Sequence, residues 1–411
     1  MFVTKHVPDP NGPGSPQRAW NHLLALRSLG SVTLLLARRD TSSDSLDSPI
    51  AGQIDVVHTS FQRPIIRQSL IPGFTLLKHM FFDSPPRITG LEDSSDGRLD
   101  IVGDQVIDIA FFFRCDCYQI FQRYITARRT IVDFDDIESK VITQENALNS
   151  ARMGREYRLV GKLKAYRQAV LEDQILRDVD DVLVCSDDDA IELRERSPSA
   201  NIGVVPNGLT EDASKRSDAS REDEKITEQK ATDLFSTVLF VGTLSYPPND
   251  DALSFFLEDI YPQLERLIGQ TKTLRCWVVG PGASDRHLAR EREGVSFLGR
   301  VESLKPYYEA ADIAVVPIRF GGGTRIKIIE AFSFGVPVVA TTIGAEGLGV
   351  RNGRELLLAD DPEQFAKACL SVLSGGGSTL EMVDRAKDLV SANYSAVAVQ
   401  RALQERILGE K

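Results

Sequence analysis

Cysteine and histidine are scarce: five of each occur among 411 residues. The cysteines (Cys115, Cys117, Cys185, Cys276 and Cys369) are dispersed and odd in number, and only the first two stand close together. That pattern argues against a disulfide framework and for buried thiols in a reducing compartment. No histidines cluster with them, so no metal site is expected. A basic excess is also lacking. The chain has 48 Lys and Arg against 59 Asp and Glu, a net charge of -11, which argues against a nucleic-acid partner. Long apolar runs are missing; IDIAFFF (Ile107 to Phe113) is far short of the roughly 20 residues that span a bilayer. The opening MFVTKHVPDPNGPG reaches Pro and Gly before any long apolar run, so no signal peptide is expected. The expected setting is cytoplasmic, with peripheral contact on the membrane face left open.

What is present fits a soluble globular protein, with 42% hydrophobic and 26% charged residues. The length suggests two domains of roughly 200 residues each. Short β-branched runs alternate with longer helical patterns, which predicts α/β domains with parallel sheets. In the first half FVT, SVTLLLA, IDIAFFF, RTIVDF, DVLVCS and NIGVVPNG read as strands. Gln17 to Leu29 and a long stretch from Glu145 to Arg177 read as helices. Residues 41 to 53 read as a polar loop. Thr210 to Ala231 is dense in charge and almost free of apolar residues, so it reads as a linker. The pattern then restarts with TVLFVG, LRCWVVG, VSFLG, IAVVPI and PVVAT as strands, ELLLAD as a further edge strand and a helical tail. The expected division is 1–205, 206–385 and a C-terminal helix over 386–411 that packs back on the first domain. Ligands of such sheets bind beyond the carboxyl ends of the strands.

FGGGTRIKIIEAFSFGVPVV (Phe320 to Val339) concentrates unusual chemistry in that position. The glycines Gly321, Gly322 and Gly323 let backbone N–H groups approach an anion with no Cβ in the way. Thr324 is the expected N-cap of the following helix, whose N-terminus suits phosphate. Arg325 and Lys327 add two positive charges. Glu330 lies further along, suited to accept hydrogen bonds from ribose or sugar hydroxyls. A glycine-softened turn with a surface Lys–Glu pair is the competing reading of these residues.

The ordered motifs VPNG (Val205 to Gly208), LFVGTLSYPPNDDALSFFLEDIYPQL (Leu239 to Leu264), WVVGPG, VSFLGRV and YEAADIAVVPIRFGGGTRIKIIEAFSFGVPVVATTIGAEGL (Tyr308 to Leu348) resemble the retaining glycosyltransferases of family 4. Within them the chain is most similar to the exopolysaccharide-associated sugar transferases. The resemblance is densest over residues 200 to 400; in the first half it rests on VDFDDIES (Val132 to Ser139) and the Pro/Gly loop before Gln17. It implies a GT-B fold, two Rossmann-like doubly wound domains facing a central cleft. It also implies transfer of a sugar from a nucleotide-diphosphate sugar donor to a glycan, lipid-linked or other hydroxyl acceptor in cell-surface polysaccharide synthesis. No metal and no further cofactor are implied.

By the same resemblance Glu330 contacts the ribose. Gly242 and Gly321 to Thr324 face the diphosphate and sugar, and Arg300 and Val301 flank the base. From the first domain Gly12, Gly14 and Arg18 face the phosphates. Two departures stand out. A glutamate common eight residues before the ribose glutamate is Gly322 here. The Arg and Lys common after the first strand of the second domain are absent from GTLSYPPND, which carries Thr243 and Asn249. Arg325 and Lys327, with Arg18, are the remaining cations for the phosphates.

Asp135 and Asp136 occupy the catalytic loop of the first domain, where either carboxylate is a candidate to orient or deprotonate the acceptor; capping the next helix is their plain alternative. Asp133 and Asp135 also imitate the D-x-D of metal-dependent transferases. Ala151 to Arg167, rich in Lys and Arg, reads either as a solvated face or as a surface for anionic lipid. Ile71 to Pro86 reads as a core helix, an acceptor-cleft lining or a membrane contact. Two other functions compete with the transferase: a nucleotide-sugar epimerase, and a non-catalytic binding protein that keeps the GT-B fold.

Overall fold

A computed structural model describes residues 1–12, 14–38, 54–62, 87–89, 106–149, 154–210, 235–269, 272–291 and 294–409. The polar stretch 41–53, the apolar stretch 71–86 and most of the charged stretch 210–231 lie outside these residues. The chain forms two compact units, one of residues 1–205 with 400–411 and one of residues 206–399.

The first unit holds an eight-stranded sheet. Its strands are β1 (Phe2–Thr4), β2 (Thr33–Arg38), β3 (Asp55–Gln62), β4 (Arg87–Thr89), β5 (Ile107–Phe113), β6 (Ala127–Asp133), β7 (Asp181–Val184) and β8 (Ile202–Val204). Their order is β4-β3-β2-β1-β5-β6-β7-β8. All neighbours run parallel except β3 and β4. The helices are α1 (Gly14–Leu29), α2 (Cys115–Phe121), α3 (Glu138–Asn149), α4 (Gly154–Asp178) and α5 (Asp187–Arg196). Helix α1 begins three residues before the expected start. The single long helix expected over 145–177 is instead two, α3 and α4, packed on each other. Asn146 on α3 sits where Gly161 of α4 would carry a Cβ, so the pair approaches closely.

The second unit holds six parallel strands. They are β9 (Phe235–Val241), β10 (Thr273–Val279), β11 (Val295–Gly299), β12 (Ile313–Val316), β13 (Val338–Ala340) and β14 (Leu357–Leu358). Their order, β11-β10-β9-β12-β13-β14, is that of a doubly wound dinucleotide-binding sheet. Strand β14 is the edge strand expected from ELLLAD. Its helices are α6 (Pro247–Phe255), α7 (Tyr261–Ile268), α8 (Asp285–Leu288), α9 (Lys305–Ala310), α10 (Ile326–Ser333), α11 (Pro362–Leu373) and α12 (Gly377–Leu389), and the last helix, α13 (Ala396–Leu408), belongs to the first unit from residue 400 on.

Helices cover both faces of such sheets, which is why the central strands read as unbroken apolar runs. Val238, Leu239 and Phe240 of β9 and all of β12 are buried. Each sheet has a switch point where the strand order reverses and the loops part to leave a crevice. It lies between β1 and β5 in the first unit and between β9 and β12 in the second. The stretch 320–327 follows β12, and 242–249 follows β9, so both line the second switch point.

Candidate functional site: the switch point of the second unit

Strand β9 ends at Val241, and the loop that begins at Gly242 packs tightly against the loop after β10. Gly280 has φ 143°, and a Cβ there would lie 2.0 Å from the Gly242 carbonyl oxygen. A Cβ on Gly242 would lie 2.8 Å from Asn249 Nδ2 and 3.0 Å from Lys327 Nζ. Only glycine lets the amide and the ammonium lie on the backbone at this strand end. The Lys327 Nζ donates to Asn249 Oδ1 at 2.7 Å, and Asn249 Nδ2 donates to the Thr243 carbonyl at 3.0 Å. The ammonium also lies 5.4 Å from the centre of the Phe240 ring. Burial pushes the Lys327 amine down from 10.5 to about 7; Arg325 adds to the push and Glu330 opposes it.

Glu330 stands one turn further along α10. The buried Tyr308 hydroxyl donates to Glu330 Oε2 at 3.1 Å, and its ring stacks on Phe334, 5.2 Å between centroids. Burial, and next Glu330, hold the Tyr308 phenol well above its ordinary range. It therefore stays a donor and fixes the carboxylate while leaving acceptor capacity for hydroxyls.

Two expectations for the glycine loop need correction. The N-cap of α10 is Arg325, not Thr324. The Thr324 hydroxyl is buried without a hydrogen-bond partner among the described residues. Arg325 does not aim its guanidinium outward. Its Nη2 donates to the Gly321 carbonyl at 2.8 Å, and its Nη1 to the carbonyls of Gly322 and Gly323, the latter at 2.7 Å. Arg325 thus braces the loop, with Gly321 at φ 127° and Gly323 at φ 69°, and its charge meets carbonyl oxygens first. Lys327 is left as the cation of the pair best placed for an anion. Gly322 is half-buried in the loop. At the carboxyl end of β11, Arg300 is exposed and Val301 half-buried.

The first unit gathers a different cluster at its own switch point. Arg18 is buried, so it is not a surface cation for phosphate. Its Nε and Nη2 donate to the two Asp133 oxygens at 2.8 and 3.0 Å, and Nη1 donates to the Val205 carbonyl at 2.7 Å. His22 Nε2 also meets Asp133. Burial alone would raise the Asp133 carboxyl, yet Arg18 and His22 hold it well below the usual range. Burial lowers the His22 imidazole, which is therefore neutral and donates through Nε2–H; its Nδ1 has no partner among the described residues. Both Asp133 oxygens are thus engaged by basic side chains inside the fold.

Asp135 has φ 61°, an uncommon conformation for a non-glycine residue. Its Oδ2 accepts from Ser15 Oγ at 2.8 Å and Arg114 Nη1 at 3.3 Å, and Arg18 Nε lies 3.8 Å from Oδ1. Two guanidiniums thus flank its carboxylate. Asp136 is half-buried beside it. Gly14 opens α1 and is exposed, and a Cβ there would meet nothing within 4 Å; at Gly12 a Cβ would lie 2.6 Å from Pro16 Cβ. The steric demand for glycine therefore falls on Gly12. Arg114, with φ 77°, and His6, lowered to about 4 by burial, Arg114 and Lys5, join this cluster. Neither carries a sequence signal, because the folded strand ends alone bring them together.

Residues 236–375 match the family model described as "Glycosyl transferases group 1". Among curated relatives, an "Uncharacterized 44.6 kDa protein in cps region" of Klebsiella pneumoniae is 25% identical over 171 residues, 39% of this chain and 43% of that one. "D-inositol 3-phosphate glycosyltransferase 2" of Catenulispora acidiphila is 29% identical over 221 residues, 49% of this chain and 50% of that one. The chain thus spans about half the length of these relatives. Among solved structures, HepE of Anabaena in complex with UDP-glucose superposes with a TM-score of 0.61 at 14% identity, covering 99% of this chain and 98% of that one. Two parallel-sheet units with such neighbours define a GT-B fold, and the residues that match the group 1 glycosyl transferase model lie in the second unit.

Proposed function

We propose that this chain is a retaining, metal-independent hexosyltransferase. It moves a sugar from a nucleotide-diphosphate sugar to a hydroxyl of a glycan or lipid-linked acceptor in cell-surface polysaccharide synthesis on the cytoplasmic side. The observation that carries the reading is the lysine at the second switch point. Lys327 Nζ sits on a glycine-cleared strand end, within reach of a neutral amide, and its amine is pushed down to about 7. An anion brought to this place regains the interaction that burial takes from the ammonium. Glu330, fixed by Tyr308, lies along the same helix for ribose hydroxyls. The group 1 region, the glycosyltransferase relative and the UDP-glucose complex of a neighbour support a nucleotide-sugar donor.

In this reading the protein's contribution is electrostatic. Lys327 and the N–H groups around the glycine loop stabilise charge growing on the leaving diphosphate. The diphosphate itself helps to deprotonate the acceptor, on the face from which it leaves, and retention follows. Asp136 is the first unit's candidate for orienting the acceptor hydroxyl, with Asp135 held by Arg114 and Ser15 beside it. The test is release of nucleoside diphosphate from UDP-, GDP-, ADP- and dTDP-sugars in the presence of EDTA. Turnover with one base that Lys327→Met abolishes supports the reading; turnover unaffected by that change removes Lys327 from it.

Contact with an anionic membrane face is part of the same proposal. Arg155, Leu159, Lys162, Tyr166 and Val170 are exposed at spacings that share one side of α4. Leu159, Tyr166 and Val170 are 59%, 68% and 46% exposed. Basic residues interleaved with apolar ones suit an anionic interface. Co-sedimentation with phosphatidylglycerol vesicles, lost on Leu159→Ser with Tyr166→Ser, is the expected result. Equal sedimentation of both proteins would refute this surface.

A further inference from the structure

The first turn of α6 carries three consecutive polar residues, and each reaches a different segment around the second switch point. Asn249 Oδ1 accepts from Lys327 Nζ of α10 at 2.7 Å. Asp250 Oδ1 meets His287 Nε2 at 2.6 Å. Ser284 N donates to His287 Nδ1 at 3.0 Å, so Nε2 carries the proton that binds Asp250. Asp251 accepts from Arg319, in the loop after β12, at 2.9 and 2.6 Å. The turn therefore joins the segments that follow β9, β10 and β12. Two of its three partners are ion-pair or imidazole clamps between loops. The third, at Asn249, is different in kind: it uses a neutral amide to hold a cation.

That difference has chemical consequences. A carboxylate at residue 249 would neutralise Lys327 and repel any anion brought to it. An amide oxygen orients the ammonium by one of its three N–H donors and leaves its charge unspent. The charged and titratable groups that face Lys327 are Arg325 at the start of α10, Glu330 on its own helix and the Tyr308 hydroxyl, whose oxygen lies 3.2 Å from the Lys327 carbonyl oxygen. The cation and the carboxylate act on the amine in opposite directions, and the hydrogen-bond partner of Nζ is the Asn249 amide at 2.7 Å.

We propose that Asn249 is a positioning residue for donor binding: its amide mounts the Lys327 ammonium at the end of β9, so that a lysine from α10 supplies the diphosphate cation that the loop after β9 does not itself carry. The inference rests on the donor reading above. It adds that the charge belongs to a place and not to a helix, and that this place is set by Asn249 over Gly242.

Titration calorimetry of the full chain with UDP, GDP, ADP and dTDP tests it, at pH 8 in two buffers of different ionisation enthalpy. The wild type binds one diphosphate with a buffer-dependent enthalpy, because the amine takes up a proton on binding. Asn249→Ala weakens that diphosphate at least tenfold. Asn249→Asp also weakens it, and its enthalpy no longer depends on buffer, because the new carboxylate keeps the ammonium charged beforehand. A role confined to packing would not move proton uptake. The exchange Asn249→Lys with Lys327→Asn binds at least tenfold more tightly than Lys327→Asn alone. Wild-type affinity and wild-type proton uptake in both Asn249→Ala and Asn249→Asp would overturn the proposal, whatever the folding of the exchange variant. Absence of any diphosphate binding by the wild type would instead overturn the donor reading on which it stands.

Discussion

Replacing Lys327 with Met removes a charge and keeps most of the stem's length, so it isolates what the ammonium does. Two unit charges 4 Å apart interact by about 4 kcal/mol at an effective dielectric of 20. Above pH 7 part of that gain is spent on protonating the amine, about 1.4 kcal/mol for each unit between the pH and its value near 7. The net loss expected for Lys327→Met at pH 8 is therefore about 2 to 3 kcal/mol, roughly a 30- to 150-fold weaker diphosphate. The pH profile carries the sign. Because the free amine sits near 7, wild-type affinity falls as pH rises from 7.5 towards 9, approaching tenfold per unit by linkage, whereas Lys327→Met shows no such fall. Apo stability moves the other way. The folded state binds fewer protons than the unfolded state between about 7 and 10.5, so wild-type stability rises with pH across that window and the variant's does not. Calorimetry from pH 7.5 to 9 measures the first effect and urea unfolding the second. An affinity that ignores pH in the wild type, or a variant that binds as the wild type does, refutes the reasoning.

Glu330→Gln keeps the shape but weakens acceptance of ribose hydroxyls; a loss of about 1 to 2 kcal/mol is expected equally for nucleoside and nucleoside diphosphate, since the charge-assisted bond becomes a neutral one. Calorimetry with both ligands checks it, and a loss confined to the diphosphate would contradict the ribose role. Asp133→Asn strips Arg18 and His22 of their shared partner inside the first unit. Unfolding in urea should show a cost of about 3 to 5 kcal/mol, because a buried guanidinium loses its bidentate carboxylate partner; an unchanged midpoint would mean that the network is not formed.

Much of this architecture is legible in the residues. The doubly wound sheets follow from the alternation of buried β-branched runs with helical segments, and the elements of the second half fall close to where the apolar runs place them. The break between α3 and α4 was not legible, because Gly154 and Gly161 lie in a stretch whose charged residues sustain helical periodicity. At the site, the glycines, Lys327 and Glu330 announce themselves by type and spacing. What each cation does was hidden. Arg325 caps α10 and Lys327 lies within its first turn, and only the folded loop shows that one meets carbonyls and the other an amide. Asn249 reads in the sequence as a missing cation; in the structure its Oδ1 accepts from Lys327 Nζ. Arg18 and Asp133 are 115 residues apart, and no local pattern marks them as a buried pair. The left-handed backbone at Arg114 and Asp135 falls on residues with nothing in their type that demands it.

The central claim is that the second unit binds a nucleoside diphosphate without a metal. Thermal stability of the full chain against UDP, GDP, ADP and dTDP, each with EDTA or with Mn²⁺, tests it most directly. A ligand at 100 times its dissociation constant adds about 2.7 kcal/mol, enough to move the midpoint visibly. The account predicts a rise with one diphosphate that persists in EDTA and disappears in Lys327→Met. A rise that requires Mn²⁺, or none with any of the four, would contradict it.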